Sequence, residues 1–263
     1  MCGIAACVGR CAALKSLLLT LNQIERGKDG CGVAYLEGGH IKVFKAPLHP
    51  ILFSDLYFSR LSLNSTIAIS HNRLPSVGGK TYVNTHPFLS CDRSFAFAHN
   101  GHMFNHHRRP ELMAGGHKIH GETDSEILMH VLEDRIREHG DIPAAIQDLI
   151  VHDLNGAIVM LTRSGELYFA KSGWVGLHYT KVDGEIYMAS AANAIRRALG
   201  LLNIRRVEIR EVKDGELVIV KDGEVEHLES VKPKKRYMED FIFDFMWSYK
   251  STHQPSLFRW FFD

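Results

Sequence analysis

The sequence predicts an α+β protein built in layers. Three observations carry that prediction: short apolar runs of strand character open the chain, the clearest helical periodicity falls in its middle, and strands dominate again in its second half. No strict strand–helix–strand alternation links them, which sets the chain apart from a doubly wound parallel sheet.

Residues 2–9 form a short apolar run and are expected to be a buried strand. Leu14, Leu17, Leu18, Leu21 and Ile24 recur at helical spacing and predict a helix over about 12–25. Gly27, Gly30 and Gly32 are expected to punctuate a turn. Strands over about 32–37 and 40–45 would meet across Gly38-Gly39, before a break at Pro47 and Pro50 and a short helix at about 51–58. Ile67, Ile69 and His71 alternate as a strand does, and Phe95 to Ala98 predicts another that ends at Asn100-Gly101. Thr123 is positioned to cap a helix, with Glu126 as its capping-box partner. A second helix is expected at about 141–150. Strands at about 156–162, 166–171 and 185–190 follow, then a helix at about 191–201. The last strands, at about 207–211, 216–221 and 224–229, include a tight turn at Asp222-Gly223.

The chain divides into a domain over 2–230 and a tail over 231–263. The tail has 33 of 263 residues but ten of the 25 aromatics. Within it Phe241, Phe245 and Tyr249 are four apart, which predicts an amphipathic helix over about 236–250. Packing on its own domain and docking to a partner or a second copy both fit this tail, so a homo-oligomer is one expectation.

At 45% hydrophobic and 23% charged residues, the composition is that of a globular protein. Thirty-one basic against 30 acidic residues leave a net charge of +1, which gives no electrostatic case for nucleic acid. No apolar run approaches the ~20 residues of a membrane span. Five cysteines (Cys2, Cys7, Cys11, Cys31 and Cys91) form no disulfide framework, and the N-terminus lacks the pattern of a signal peptide, so a cytoplasmic location is expected. Cys7 is expected to be a small buried strand residue. The histidines at 99, 102, 106 and 107 repeat no known ligand spacing, and no metal or other cofactor is expected.

Cys2 is the sharpest chemical feature. Removal of Met1 would place its thiol beside a free α-amine, whose ordinary pKa of about 7.7–8.0 suits a general base at working pH. An N-terminal nucleophile of this kind needs no separate histidine. Arg73, closing His71-Asn72-Arg73, offers a fork for a carboxylate. Asn100 and Gly101 offer an amide and a backbone N–H that suit an oxyanion. Asp124, at a helix start, suits a substrate ammonium. Together they describe a site for an α-amino acid with a side-chain acyl group, and glutamine fits.

The sequence resembles the class II glutamine amidotransferase domain of the N-terminal-nucleophile hydrolases. The matching motifs are Met-Cys-Gly-Ile at 1–4, Arg-Gly-Lys-Asp-Gly-Cys-Gly at 26–32, His-Asn-Arg at 71–73, Thr-His-Pro-Phe at 85–88 and Ala-His-Asn-Gly at 98–101. Gly-Glu-Thr-Asp-Ser-Glu at 121–126, Leu-Asn-Gly-Ala at 154–157 and Met-Ala-Ser-Ala at 188–191 continue it, so the likeness covers about residues 2–228. The resemblance implies a four-layer αββα sandwich and hydrolysis of glutamine to glutamate and ammonia. It implies Cys2 as nucleophile through a thioester and Asn100 with Gly101 as oxyanion hole. Arg73 would bind the substrate carboxylate and Asp124 its ammonium, with Ser76 and His86 around the pocket. Leu74-Pro75-Ser76 departs from the family, many of whose members carry an aromatic residue and then Ser or Thr after the arginine; Pro75 would stiffen the loop.

Three functions follow as alternatives. The first is a glutaminase subunit that passes ammonia to a separate synthase or transferase. The second is a γ-glutamyl hydrolase acting on a γ-glutamyl peptide or thiol conjugate. The third is a non-catalytic regulatory protein on the same scaffold, which would follow if Met1 were retained.

Overall fold

A computed structural model describes residues 1–103 and 105–233. The expected tail helix at 236–250 lies outside the described residues.

Thirteen strands and six α-helices are found among the described residues: β1 (Gly3–Val8), α1 (Ala12–Leu21), β2 (Gly30–Glu37), β3 (His40–Ala46), α2 (Pro50–Tyr57), β4 (Ile67–Arg73), β5 (Phe88–Leu89), β6 (Phe95–Gly101), α3 (Arg109–Ala114), α4 (Asp124–His139), α5 (Ile142–His152), β7 (Gly156–Thr162), β8 (Leu167–Ser172), β9 (His178–Val182), β10 (Glu185–Ala189), α6 (Ala192–Leu201), β11 (Arg210–Glu211), β12 (Leu217–Lys221) and β13 (Glu224–Leu228). They form a seven-stranded sheet in the order β11-β9-β10-β1-β4-β2-β3 and a six-stranded sheet in the order β13-β12-β8-β7-β6-β5. Both sheets are antiparallel.

Three apolar layers hold these elements together, and strand alternation assigns each side chain to one of them. In β1, Ile4 and Ala6 join Val159, Leu161 and Phe169 between the sheets. Ala5 and Cys7 face the other way and pack with Leu17 and Leu19 of α1 and Ile195 and Leu199 of α6. On the far side of the second sheet, Phe97 and Ile158 pack against Ile127 and Leu128 of α4 and Ile146 and Leu149 of α5. The result is the expected order of helices, sheet, sheet, helices. Because both faces of β1 are covered, the strand reads in the sequence as an unbroken apolar run rather than a polar alternation.

Most expected elements are present, with three informative differences. Gly30 and Gly32 lie inside β2 rather than in a turn; a Cβ at Gly32 would stand 2.2 Å from the His86 carbonyl, so close approach of the chain, not turn geometry, calls for glycine. Thr123 caps α4 by accepting from Glu126 N at 3.2 Å, but the Glu126 carboxylate does not complete the box. It accepts instead from the backbone N–H groups of His120 (2.9 Å) and Gly121 (2.6 Å), and so folds the preceding loop onto the helix start. Strand β9 and the two-residue β5 carried no pattern of their own and exist through pairing with β10 and β6. The hairpin turn at Asp222-Gly223 is as expected, with positive φ at both residues. No helix among the described residues is long and apolar enough to cross a membrane.

Candidate active site

Cys2 immediately precedes β1, and β1 lies in the middle of its sheet. Antiparallel pairing of Gly3 with Asn72 brings the end of β4 beside it, so Arg73 is carried to the thiol by register alone. The Cys2 sulfur accepts from the Leu74 N–H at 3.3 Å and lies 3.4 Å from the Leu74 carbonyl oxygen. Arg26 donates from Nε to the Cys2 carbonyl at 2.9 Å and fixes the Cys2 backbone. Burial pushes the Cys2 thiol above its ordinary pKa, while the Leu74 amide, the chain's amino terminus and the Arg73 charge act against that rise. The thiol is therefore protonated at rest and needs a base.

Arg73 is buried, and its guanidinium donates to three successive carbonyls of its own loop: Gly79 at 2.7 Å, Val77 at 2.9 Å and Gly78 at 3.1 Å. It thus shapes the 74–79 loop next to the thiol as well as supplying positive charge. The turn at 26–29 lies directly on the Arg73 backbone. Asp29 N–H donates to the Arg73 carbonyl at 3.0 Å, and a Cβ at Gly27 would meet the Arg73 carbonyl carbon at 2.7 Å.

The second sheet contributes the end of β6. Asn100 is buried and its amide donates to Ser190 Oγ at 3.5 Å. The same hydroxyl accepts from Ile4 N–H at 3.0 Å, which ties the two sheets together two residues from Cys2. Gly101 sits where β6 meets β7 most closely; a Cβ there would be 2.1 Å from the Asn155 carbonyl oxygen. Asp124 opens α4 and is buried, accepting from Met103 N–H at 2.6 Å and Ser125 N–H at 2.9 Å. Its charge and that of Arg73 both act on the Cys2 thiol, so the three groups share one electrostatic neighbourhood.

The structure places Arg73 beside Cys2 through the β1–β4 pairing and lets the Asp124 charge act on the thiol, with Asn100 joined through Ser190 to the strand that follows Cys2. Ser76 lies exposed on the 74–79 loop. His86 is buried against the rings of His71 (4.0 Å between centroids) and Phe88 (4.4 Å). It stands in the packed interior, and desolvation there holds it neutral, well below its usual pKa. Sequence reasoning gave no role at the site to Arg26 or Ser190 and read Gly27 only as a turn glycine, although each lies in a motif it had singled out. Their work is to hold the backbone around Cys2, which residue type alone does not announce. A groove of about 940 Å³ lies elsewhere: it is lined by β3, β5 and residues such as Lys118 and His120, and by neither Cys2 nor Asp124.

A family profile described as class-II glutamine amidotransferases matches residues 4–179. The chain belongs to the class II glutamine amidotransferases. Among relatives of the family, a glutamine–fructose-6-phosphate aminotransferase of Idiomarina loihiensis is 34% identical over 66% of this chain and 29% of its own length. The enzyme of the same name from Chlorobaculum tepidum is 29% identical over 91% of this chain and 39% of its own length. The amidotransferase chain thus spans well under half of these relatives. In structure it is similar to glutamine phosphoribosylpyrophosphate amidotransferase of B. subtilis, with a TM-score of 0.74 and 20% identity, over 89% of this chain and 50% of that one. A class-II glutamine aminotransferase domain protein of Silicibacter pomeroyi gives a TM-score of 0.58 at 16% identity, over 88% of this chain and 100% of that one. These likenesses show that the chain shares the layered architecture of both of those structures.

Proposed function

We propose that this amidotransferase hydrolyses L-glutamine to glutamate and ammonia through a thioester on Cys2. The observation that carries the reading is the half-buried Cys2 thiol seated on the Leu74 N–H, with Arg73 beside it through the β1–β4 pairing and the Asp124 charge acting on it. Removal of the exposed Met1 frees the α-amine of Cys2. That amine takes the thiol proton as sulfur attacks the glutamine side-chain carbonyl carbon. The oxyanion that forms is faced by the Asn100 amide and the Gly101 N–H, and Arg73 and Asp124 hold the substrate carboxylate and ammonium. The protonated amine then gives its proton to the departing nitrogen, ammonia leaves, and a thioester remains. The same amine activates water, whose attack releases glutamate and restores the thiol.

The ammonia is passed to a synthase or transferase partner in this reading, in keeping with relatives whose names describe transfer from glutamine to an acceptor. The test is glutamate release from glutamine by protein whose intact mass shows Met1 removed, assayed with and without candidate partners and beside γ-glutamyl peptides. Preference for glutamine supports the reading. Turnover of γ-glutamyl peptides alone would replace it with the γ-glutamyl hydrolase, and no turnover of either by the processed chain would favour a regulatory role.

A further inference from the structure

Away from Cys2, three separate segments converge on one point. Cys91 lies in the turn between β5 and β6, His117 in the loop between α3 and α4, and His130 and Glu133 on α4. One ligand atom from each lies within 4.8 Å of every other. The Cys91 sulfur is 3.8 Å from His117 Nδ1 and 3.7 Å from His130 Nδ1. Glu133 Oε2 is 3.0 Å from His117 Nδ1 and 2.5 Å from His130 Nδ1. Zinc bonds of about 2.3 Å to sulfur and 2.0–2.1 Å to nitrogen or oxygen give tetrahedral edges of roughly 3.3–3.6 Å. The sulfur–nitrogen edges are already near that length, and the two carboxylate–imidazole edges need only open by less than about 1 Å.

We propose that Cys91, His117, His130 and Glu133 form a structural zinc site. Four protein donors of mixed sulfur, nitrogen and oxygen type suit Zn²⁺ in a closed tetrahedron with no position left for substrate. The surroundings already orient the donors. His117 Nε2 is 2.9 Å from Asp134 Oδ1, the carboxylate–histidine pairing that leaves Nδ1 bare for a metal. Glu133 Oε1 accepts from the Cys91 backbone N–H at 2.5 Å, which turns its other oxygen toward the rings. His117 and His130 are buried, while Cys91 is exposed and borders the wide groove, which gives the ion a way in. On binding, the Cys91 thiol gives up its proton to solvent and a Zn–S bond forms. The bound ion would staple the β5–β6 turn and the α3–α4 loop to the helix that carries Asp124 in its first turn.

The test uses the full chain without an affinity tag, stripped by chelator and dialysed against Zn²⁺. Metal analysis is expected to give about one zinc per chain, and the melting temperature should rise by several degrees on reloading. Co²⁺ in its place should show the visible bands of a tetrahedral site and a thiolate charge-transfer band. Cys91→Ser should abolish the charge-transfer band and weaken zinc retention by about tenfold or more, whereas Cys11→Ser should change neither. His130→Gln should also lower retention, with near-ultraviolet circular dichroism showing that each variant remains folded. Failure of the stripped wild type to take up zinc or to shift its melting temperature would overturn the proposal. So would zinc held as tightly by Cys91→Ser, since the four residues would then be a hydrogen-bonded polar cluster and nothing more.

Discussion

The Cys2 sulfur is held by a residue 72 positions away: Leu74 donates its backbone N–H to Sγ at 3.3 Å. The thiol is thus seated on the loop that Arg73 shapes through Val77, Gly78 and Gly79. Replacing Cys2 by Ala is expected to lower glutamate release by about 10³-fold or more. The fold should be little affected, since the thiol is half-buried and its hydrogen bonds run to the Leu74 backbone alone among the described residues. Intact mass of the wild type should lack one methionine, and a glutamine-analogue electrophile should add once to wild type and not to Cys2→Ala.

The rate should depend on pH through the base rather than the thiol. Burial raises the thiol pKa, so the thiol stays protonated until the amine accepts its proton. The amine must be neutral to do so. kcat/KM should therefore fall as pH drops through the ordinary α-amine range, about 7.7–8.0, and level off above it. A profile flat from pH 6 to 9 would point to another base.

Arg73→Gln removes both the proposed carboxylate clamp and the loop contacts. Loss of a charged hydrogen-bonding partner is expected to cost about 2 kcal/mol, or roughly 30-fold in kcat/KM, mostly through KM. Asp124→Asn keeps an oxygen for Met103 N–H but loses the charge and turns an NH2 group toward Ser125 N–H, so it should raise KM for glutamine and also lower the melting temperature by a few degrees. A steady-state comparison of KM, kcat and melting temperature separates the two effects.

Gly101→Ala forces a Cβ to within 2.1 Å of the Asn155 carbonyl oxygen, a backbone atom that cannot swing aside. The expected cost is about 1–3 kcal/mol, seen as a lower midpoint in chemical denaturation. Activity should fall further than stability does, because the displaced N–H is one of the two proposed oxyanion donors.

Three buried histidines predict an acid-sensitive fold. Burial lowers the His71 pKa to about 3, with the Arg73 charge acting in the same direction, and burial also lowers those of His86 and His99. In the unfolded chain each protonates near 6.5, so below that pH the unfolded state binds more protons. For His71 that contribution to stability is complete above about pH 6.5 and is lost as pH falls toward about 3, by up to roughly 1.4 kcal/mol per pH unit, and His86 and His99 act in the same direction. Urea unfolding across that range checks the slope, and His71→Asn should flatten it by about one proton.

Periodicity made most strands and helices legible, because a strand buried on both faces or a helix with one apolar stripe must repeat its hydrophobic residues. The final hairpin was equally plain from Asp222-Gly223. Strand β9 was not, since its residues carry no apolar run and its existence depends on β10 beside it. The capping of α4 by Thr123 could be read locally, but the destination of the Glu126 carboxylate could not, because two loop amides compete for it.

The sequence by itself determined the layered class of this amidotransferase and the chemistry available to it, because hydrophobic spacing and reactive side chains are written residue by residue. It named Cys2, Arg73, Asn100, Gly101 and Asp124 without showing how they meet. Tertiary structure alone decided that register between β1 and β4 seats Arg73 beside the thiol, that Ser190 joins Asn100 to Ile4, and that His86 lies in the packed interior. It alone also gathered Cys91, His117, His130 and Glu133, which follow no ligand spacing along the chain. The physical reason is that a site assembled from strand ends, loops and one helix depends on distances in space, and those are fixed only when the two sheets pack.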